Sequence, residues 1–74
     1  MDSTPNILLD TDMLTDCDDA AALAILHCLA DRGEARILGV AVNGIDSHGL
    51  HGSVVSAINY YYGRPNIPVI FFFF

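Results

Sequence analysis

Residues 7–9, 35–42 and 67–74 are short and almost continuously apolar, the pattern expected of strands buried on both faces of a parallel sheet. Two longer stretches between them read as helices. The first is expected to begin near Asp18 and to carry an Ala/Leu-rich body, residues 20–30, apolar nearly all round as in a buried helix. Asp16 or Asp18 is placed to cap it, and acidic residues in a first turn suit the positive end of the helix dipole. Arg32 falls in its last turn and Gly33 offers the left-handed stop. The second helix is expected to start between residues 47 and 52, to place Leu50, Val54, Ala57, Ile58 and Tyr61 on one face, and to end at Tyr62-Gly63. Arg64-Pro65-Asn66 makes a tight link into the last run, which has Pro68 near its start. Strand, helix, strand, helix, strand with short links implies right-handed crossovers and a Rossmann-like βαβαβ α/β segment with a parallel sheet.

Seventy-four residues make at most one small domain, and a chain this short buries only about 60% of its unfolded surface. Yet 53% of the residues are hydrophobic and the mean hydropathy is positive, so some surface is expected to be covered by more protein. The chain, residues 1–74, is therefore expected to be a truncated piece of something larger, with a polar start at 1–5 and an atypical run of phenylalanines, Phe71 to Phe74, at its end. A formal charge of −6, without lysine, argues against binding a nucleic-acid backbone, which needs clustered cations. Cys17 and Cys28 are too few for a disulfide framework, and reduced thiols are expected. The start lacks the basic and apolar regions of a signal peptide, and residues 67–74 are too short to cross a bilayer as a helix. No membrane association and a cytoplasmic location are expected.

The chemistry gathers where the first strand gives way to the first helix, in NILLDTDMLTDCDDAAALAIL, residues 6–26. Asp10, Asp12, Asp16, Asp18 and Asp19 are five of the nine acidic residues. Carboxylates packed that closely repel one another unless a cation or backbone N–H groups hold them. Ligands of parallel sheets bind beyond the carboxyl ends of the strands, and both this cluster and the polar turn from Asn43 to Asp46 fall on that edge. Oxygen-only donors suit a hard cation such as Ca²⁺ or Mg²⁺. An EF-hand loop is excluded, because the turn glycine and the closing bidentate acid are missing whichever aspartate is taken first. An aspartate-nucleophile phosphatase of the haloacid-dehalogenase kind fits Asp10-Thr11-Asp12. It leaves Leu14 where that family has a threonine, and it leaves Asp18-Asp19 unexplained.

DTD, a short loop and then DDAAAL resemble the N-terminal motif of the inosine/uridine-preferring nucleoside hydrolases. The resemblance continues through ARILGVAVN and AINYYYGRPNIPV and covers residues 6–69. The common form has three loop residues between DTD and DDA, whereas MLTDC has five. What the resemblance implies is a Ca²⁺-dependent hydrolase that cleaves the N-glycosidic bond of ribonucleosides. Asp12 is then a calcium ligand and the general base, Asp19 a second ligand, and Asp10 a ligand or a support behind the ligands. Asp18 and Asn43 would hold ribose hydroxyls, although Gly44-Ile45-Asp46 departs from the family pattern, and Asp16 has no assigned role. Family members are several times longer, so this chain is expected to be an N-terminal segment with little activity alone and weak Ca²⁺ binding. A homo-oligomer is an expectation for a full-length form only.

Other residues have plainer readings. His27, on the apolar helix, reads as a satisfied core histidine, and His48 and His51 as loop or helix-start residues. Cys17 reads as a packing residue, because neighbouring negative charge raises a thiol pKa. Tyr60, Tyr61 and Tyr62 read as packing and helix-end residues. A different class of function also stands open: a non-catalytic fragment or interaction module whose apolar surface is covered by a partner or by self-association.

Overall fold

The structure, a computed structural model, describes residues 3–13, 17–43 and 50–72. In chain order these form β1 (Asn6–Thr11), α1 (Asp18–Asp31), β2 (Arg36–Asn43), α2 (Leu50–Tyr61) and β3 (Val69–Phe72). The strands make one parallel sheet in the order β1-β2-β3, so the α/β class and the alternation read from the sequence are both present. Right-handed crossovers made twice in one direction leave both helices on the same face. α1 and α2 indeed pack against each other as well as on the sheet.

The core lies between that face and the helices. Met13, Leu23, Val40, Val42 and Val55 are buried in it, with Leu9, Ala20, Ile58, Ile67 and Val69 packed around them. The register explains which strand residues take part. Leu9 pairs with Val40 and Thr11 with Val42, while Val40 and Val42 pair with Val69 and Phe71, so one row of alternate residues faces the helices. The other row, Leu8, Gly39 and Ile70, lies on the uncovered face, where Leu8 and Ile70 are exposed. Leu38 belongs to neither row. The pairing steps from Ile7–Ile37 to Leu8–Gly39, so Leu38 is the additional residue of a β-bulge and is itself exposed.

Both helices stop in the same way. Gly33 (φ 74°) donates its N–H to Ala30 and Glu34 donates to Leu29, while Gly63 (φ 79°) donates to Tyr60 and Arg64 to Asn59. These paired bonds from a left-handed glycine and the residue after it form a Schellman motif. α1 ends at Asp31, so Arg32 is the C-cap and not a last-turn residue. At the other end the N-cap is Cys17, in helical backbone geometry and without a side-chain capping bond. Asp18 therefore sits inside the first turn and does not cap, which corrects one of the two expectations for this end; Asp16 lies outside the described residues.

The inward face of α2 also differs from the expected one. Gly52, Val55 and Asn59 are buried, whereas Val54 and Tyr61 are exposed. The reason is that Gly52 gives the Phe71 ring a place against the helix backbone, where a Cβ would collide with the ring. Val54, Ala57 and Tyr61 instead line a groove of about 580 Å³ between α2 and the Cys17–Ala24 side of α1, and Ile58 borders it while also packing on the core as expected. Cys17 is exposed along that groove and is not a packed core residue. Tyr60 is exposed too, leaving Tyr62 as the tyrosine of the three that packs.

Its partner is His27, which is fully buried. The imidazole stacks on Tyr62 with ring centres 4.8 Å apart, its Nε2 lies 2.7 Å from Asn59 Oδ1, and its Nδ1 lies 3.3 Å from Arg64 Nη1. Arg64 carries only donors, so Nδ1 accepts and Nε2 bears the proton given to Asn59. Arg64 also bonds Asp31 at 2.7 Å, which joins the C-terminal ends of both helices. His27 is thus a satisfied core histidine.

The two faces of α1 are not equivalent, and truncation should show it. Leu23→Ala removes a fully buried side chain and is expected to cost about 2–5 kcal/mol, whereas Ile25→Ala, on the exposed face, should stay within about 0.5 kcal/mol. Urea unfolding of both variants checks this; equal losses would mean that α1 does not sit on the sheet through Leu23.

Candidate functional site

β1 alternates until it runs out at the sheet edge. Asp10 and Asp12 are exposed and Thr11, between them, is 6% exposed and points to the helix side. The chain then turns sharply at Met13, whose φ of 47° is the left-handed region that a side chain seldom adopts. That turn drops the Met13 side chain onto the top of the core and aims its N–H back at Thr11 and at α1.

Asp19 receives what the turn offers. The Thr11 hydroxyl donates to Asp19 Oδ2 at 2.6 Å, and the Met13 N–H reaches the same oxygen at 3.2 Å while also donating to Thr11 Oγ1 at 3.0 Å. The Thr11 hydroxyl foremost, then the Asp12 side chain and the main-chain N–H groups of Met13 and Asp12, hold the Asp19 carboxyl below its ordinary value near 3.8, against an opposing effect of burial. Asp19 also stands in the first turn of α1, where the helix dipole favours negative charge. The site so far consists of one ionised carboxylate, fixed by neutral donors, with a second carboxyl group in hydrogen-bonding contact.

The five sequence-derived site residues are not brought together equally. Asp12 and Asp19 meet. Asp18 lies one residue before Asp19 in the first turn and is exposed. Asp10 is exposed on the uncovered face, paired in register with Ala41. Asn43 ends β2 on the same sheet edge, in register with Phe72, and its side chain lies outside the described residues. Asp16 and the turn at 44–49 lie outside them as well. Among the described residues no three His, Cys, Asp or Glu side chains converge as a metal-holding group. The donors fit a hard cation in kind, being ionised oxygen, and fall short of the 6–8 oxygens that Ca²⁺ takes.

Thr11 and Met13 were not singled out from the sequence. The available signal was the D-T-D alternation itself, which turns the central residue inward whenever its neighbours face out. Comparison of the chain with protein-family models, curated proteins and solved structures gives no match.

A lowered folded-state pKa stabilises the fold above the unfolded value and loses that contribution as pH falls through the folded value. For Asp19 the loss therefore belongs to acid solutions, from about pH 3.8 downward. Asp19→Asn lacks the contribution at every pH and should lose less stability than the parent across that window. Denaturant unfolding at stepped pH measures it; identical slopes for the two chains would show that the turn does not hold the carboxylate.

Proposed function

We propose that the chain carries the acidic half of a nucleoside-hydrolase site, acting on the N-glycosidic bond of ribonucleosides with Ca²⁺ as cofactor. The observation that carries this reading is the meeting of Asp12, at the end of β1, with Asp19, in the first turn of α1, at the carboxyl edge of a parallel sheet. The D-T-D and D-D-A motifs that resemble the inosine/uridine-preferring family are the two segments that this contact joins. The family assignment, the substrate and the metal all belong to the proposal.

In this reading Asp12 and Asp19 are oxygen ligands, with Asp10 a ligand or a support behind them. A bound Ca²⁺ would supply orientation and acidification of a water and a grip on the ribose diol. Asp12, exposed at the edge, takes the proton of the attacking water as its oxygen bonds to the sugar carbon, and the bond to the nucleobase breaks with its electron pair leaving on the base. Because cleavage passes through an oxocarbenium-like sugar, a fixed negative charge nearby lowers the barrier, and Asp19 is held ionised for that role. Asp18 and Asn43 hold ribose hydroxyls. Asp12 and Asp19, the two carboxylates that meet, provide fewer oxygens than the 6–8 that Ca²⁺ takes, so little release of free base by the chain alone is expected.

A second reading, an interaction module, draws on a separate observation: Leu8, Leu38 and Ile70 are exposed together with the open face of a parallel sheet, a type of sheet ordinarily covered on both faces. Light scattering distinguishes the two. A monodisperse monomer that responds to Ca²⁺ favours the hydrolase reading, and calcium-independent self-association favours the module.

The direct test is a titration of the chain with Ca²⁺ and then with inosine or uridine, followed by amide NMR. Ca²⁺ is expected to bind weakly and to shift residues 10–12 and 18–19, an effect lost in Asp12→Asn and Asp19→Asn and kept in Asp31→Asn. With Ca²⁺ present, ribonucleosides should then shift Asp18 and Asn43, and 2′,3′-dideoxynucleosides should not. Absence of any calcium response sinks the proposal.

A further inference from the structure

In Asp10-Thr11-Asp12 the two aspartates face out and the threonine faces in, so Thr11 is neither a ligand nor the base of the proposed chemistry. Its hydroxyl nevertheless reaches across the loop to α1. Thr11 Oγ1, Asp19 Oδ2 and Met13 N form a closed triangle with sides of 2.6, 3.0 and 3.2 Å. A hydroxyl has one proton, and here its oxygen already accepts the Met13 N–H, so the proton is directed at the carboxylate. An aspartate in a first helical turn otherwise chooses among staggered rotamers, and the one adopted here keeps its carboxyl group beside Asp12.

We propose that Thr11 is a positioning residue: its hydroxyl, oriented by the Met13 N–H, holds Asp19 in the single rotamer that keeps its carboxylate beside Asp12. The consequence for metal binding rests on the hydrolase reading of the turn, whereas the positioning itself does not. Valine at this site keeps the shape and deletes the hydroxyl; serine keeps the hydroxyl and deletes only a methyl group. A purely packing role for Thr11 predicts that valine substitutes well and serine badly. A positioning role predicts the reverse.

The test compares the full chain with its Thr11→Val and Thr11→Ser variants. The first readout is the Asp19 χ1 rotamer in metal-free protein, from NMR scalar couplings. The parent and Thr11→Ser are expected to show one rotamer and Thr11→Val an average of several. The second readout is affinity for Tb³⁺ or Ca²⁺ alone, expected to fall about 10–100-fold in Thr11→Val, as when partners behind metal ligands are removed, and to be regained in Thr11→Ser. An unchanged Asp19 rotamer in a folded Thr11→Val variant overturns the proposal. Should that variant not fold, the parent decides alone: a slowly exchanging Thr11 hydroxyl proton with a single Asp19 rotamer upholds the positioning, and an averaged rotamer overturns it. A fixed rotamer without metal binding in any of the three chains would uphold Thr11 while sinking the metal reading of the turn.

Discussion

A helix that crosses between parallel strands in the right-handed sense can return to only one face of the sheet, and a second crossover in the same direction returns to that face again. Much of this chain's arrangement follows from that constraint. Both helices share a face, so they touch, and the residues between them and the strands become the core. The opposite face is left with Leu8 and Ile70 in the open. All three strands point the same way, so every strand-to-helix turn collects at one edge. The acidic cluster is at that edge because the chain has no other place to put a turn that follows β1.

Holding two helices side by side on three strands requires more than apolar contact, since smooth apolar surfaces slide. The polar group that fixes them is built from His27 on α1, Asn59 on α2 and Arg64 just beyond it, with Asp31 at the end of α1 receiving the guanidinium. His27 is the pivot: its two ring nitrogens face a carbonyl oxygen and a cation, so only one tautomer satisfies both. Such a group tolerates no shift of α1 along α2 by a residue. The Asn59 side-chain nitrogen is left without a hydrogen-bond partner at its centre, the one unsatisfied buried side-chain atom among the described residues. The clamp and the acidic turn lie at opposite ends of α1, one setting its position and the other using its first turn.

The fold was largely legible in the sequence because the cues for it are local and repeated. Apolar runs of strand length, an Ala/Leu helix body and two glycines after the helices each act over a few residues, and the structure has all of them. The inward face of α2 was not legible. Val54, Ala57 and Tyr61 have helical spacing and apolar side chains, but burial there is decided by Gly52 and by the Phe71 ring of a distant strand, which no helical pattern encodes. At the site, the aspartates were conspicuous by number and spacing. The hydroxyl and the amide that organise Asp19 were not, because a threonine and a methionine in a loop carry no pattern until the turn at Met13 brings them to face α1. The contact of Asp12 with Asp19 is likewise a product of that turn, and Asp10 stands apart from the pair on the other face.

The bulge at Leu38 has a consequence for how this chain tolerates change. In β2 the large residues Val40 and Val42 alternate with the small Gly39 and Ala41, and which set meets the helices depends on a count of residues begun at Arg36. Leu38 is the residue that the pairing skips, so Ile37 and Val40, three apart in the chain, both pair with the helix-facing row of β1. Replacing Leu38 changes one exposed side chain. Deleting it would make Ile37 and Gly39 neighbours, as their partners Ile7 and Leu8 already are, and would leave Val40 and Val42 facing the helices in an unbroken ladder. β2 therefore has a residue to spare at this position and none at Ala41, whose loss would put Val40 and Val42 on opposite faces of the sheet.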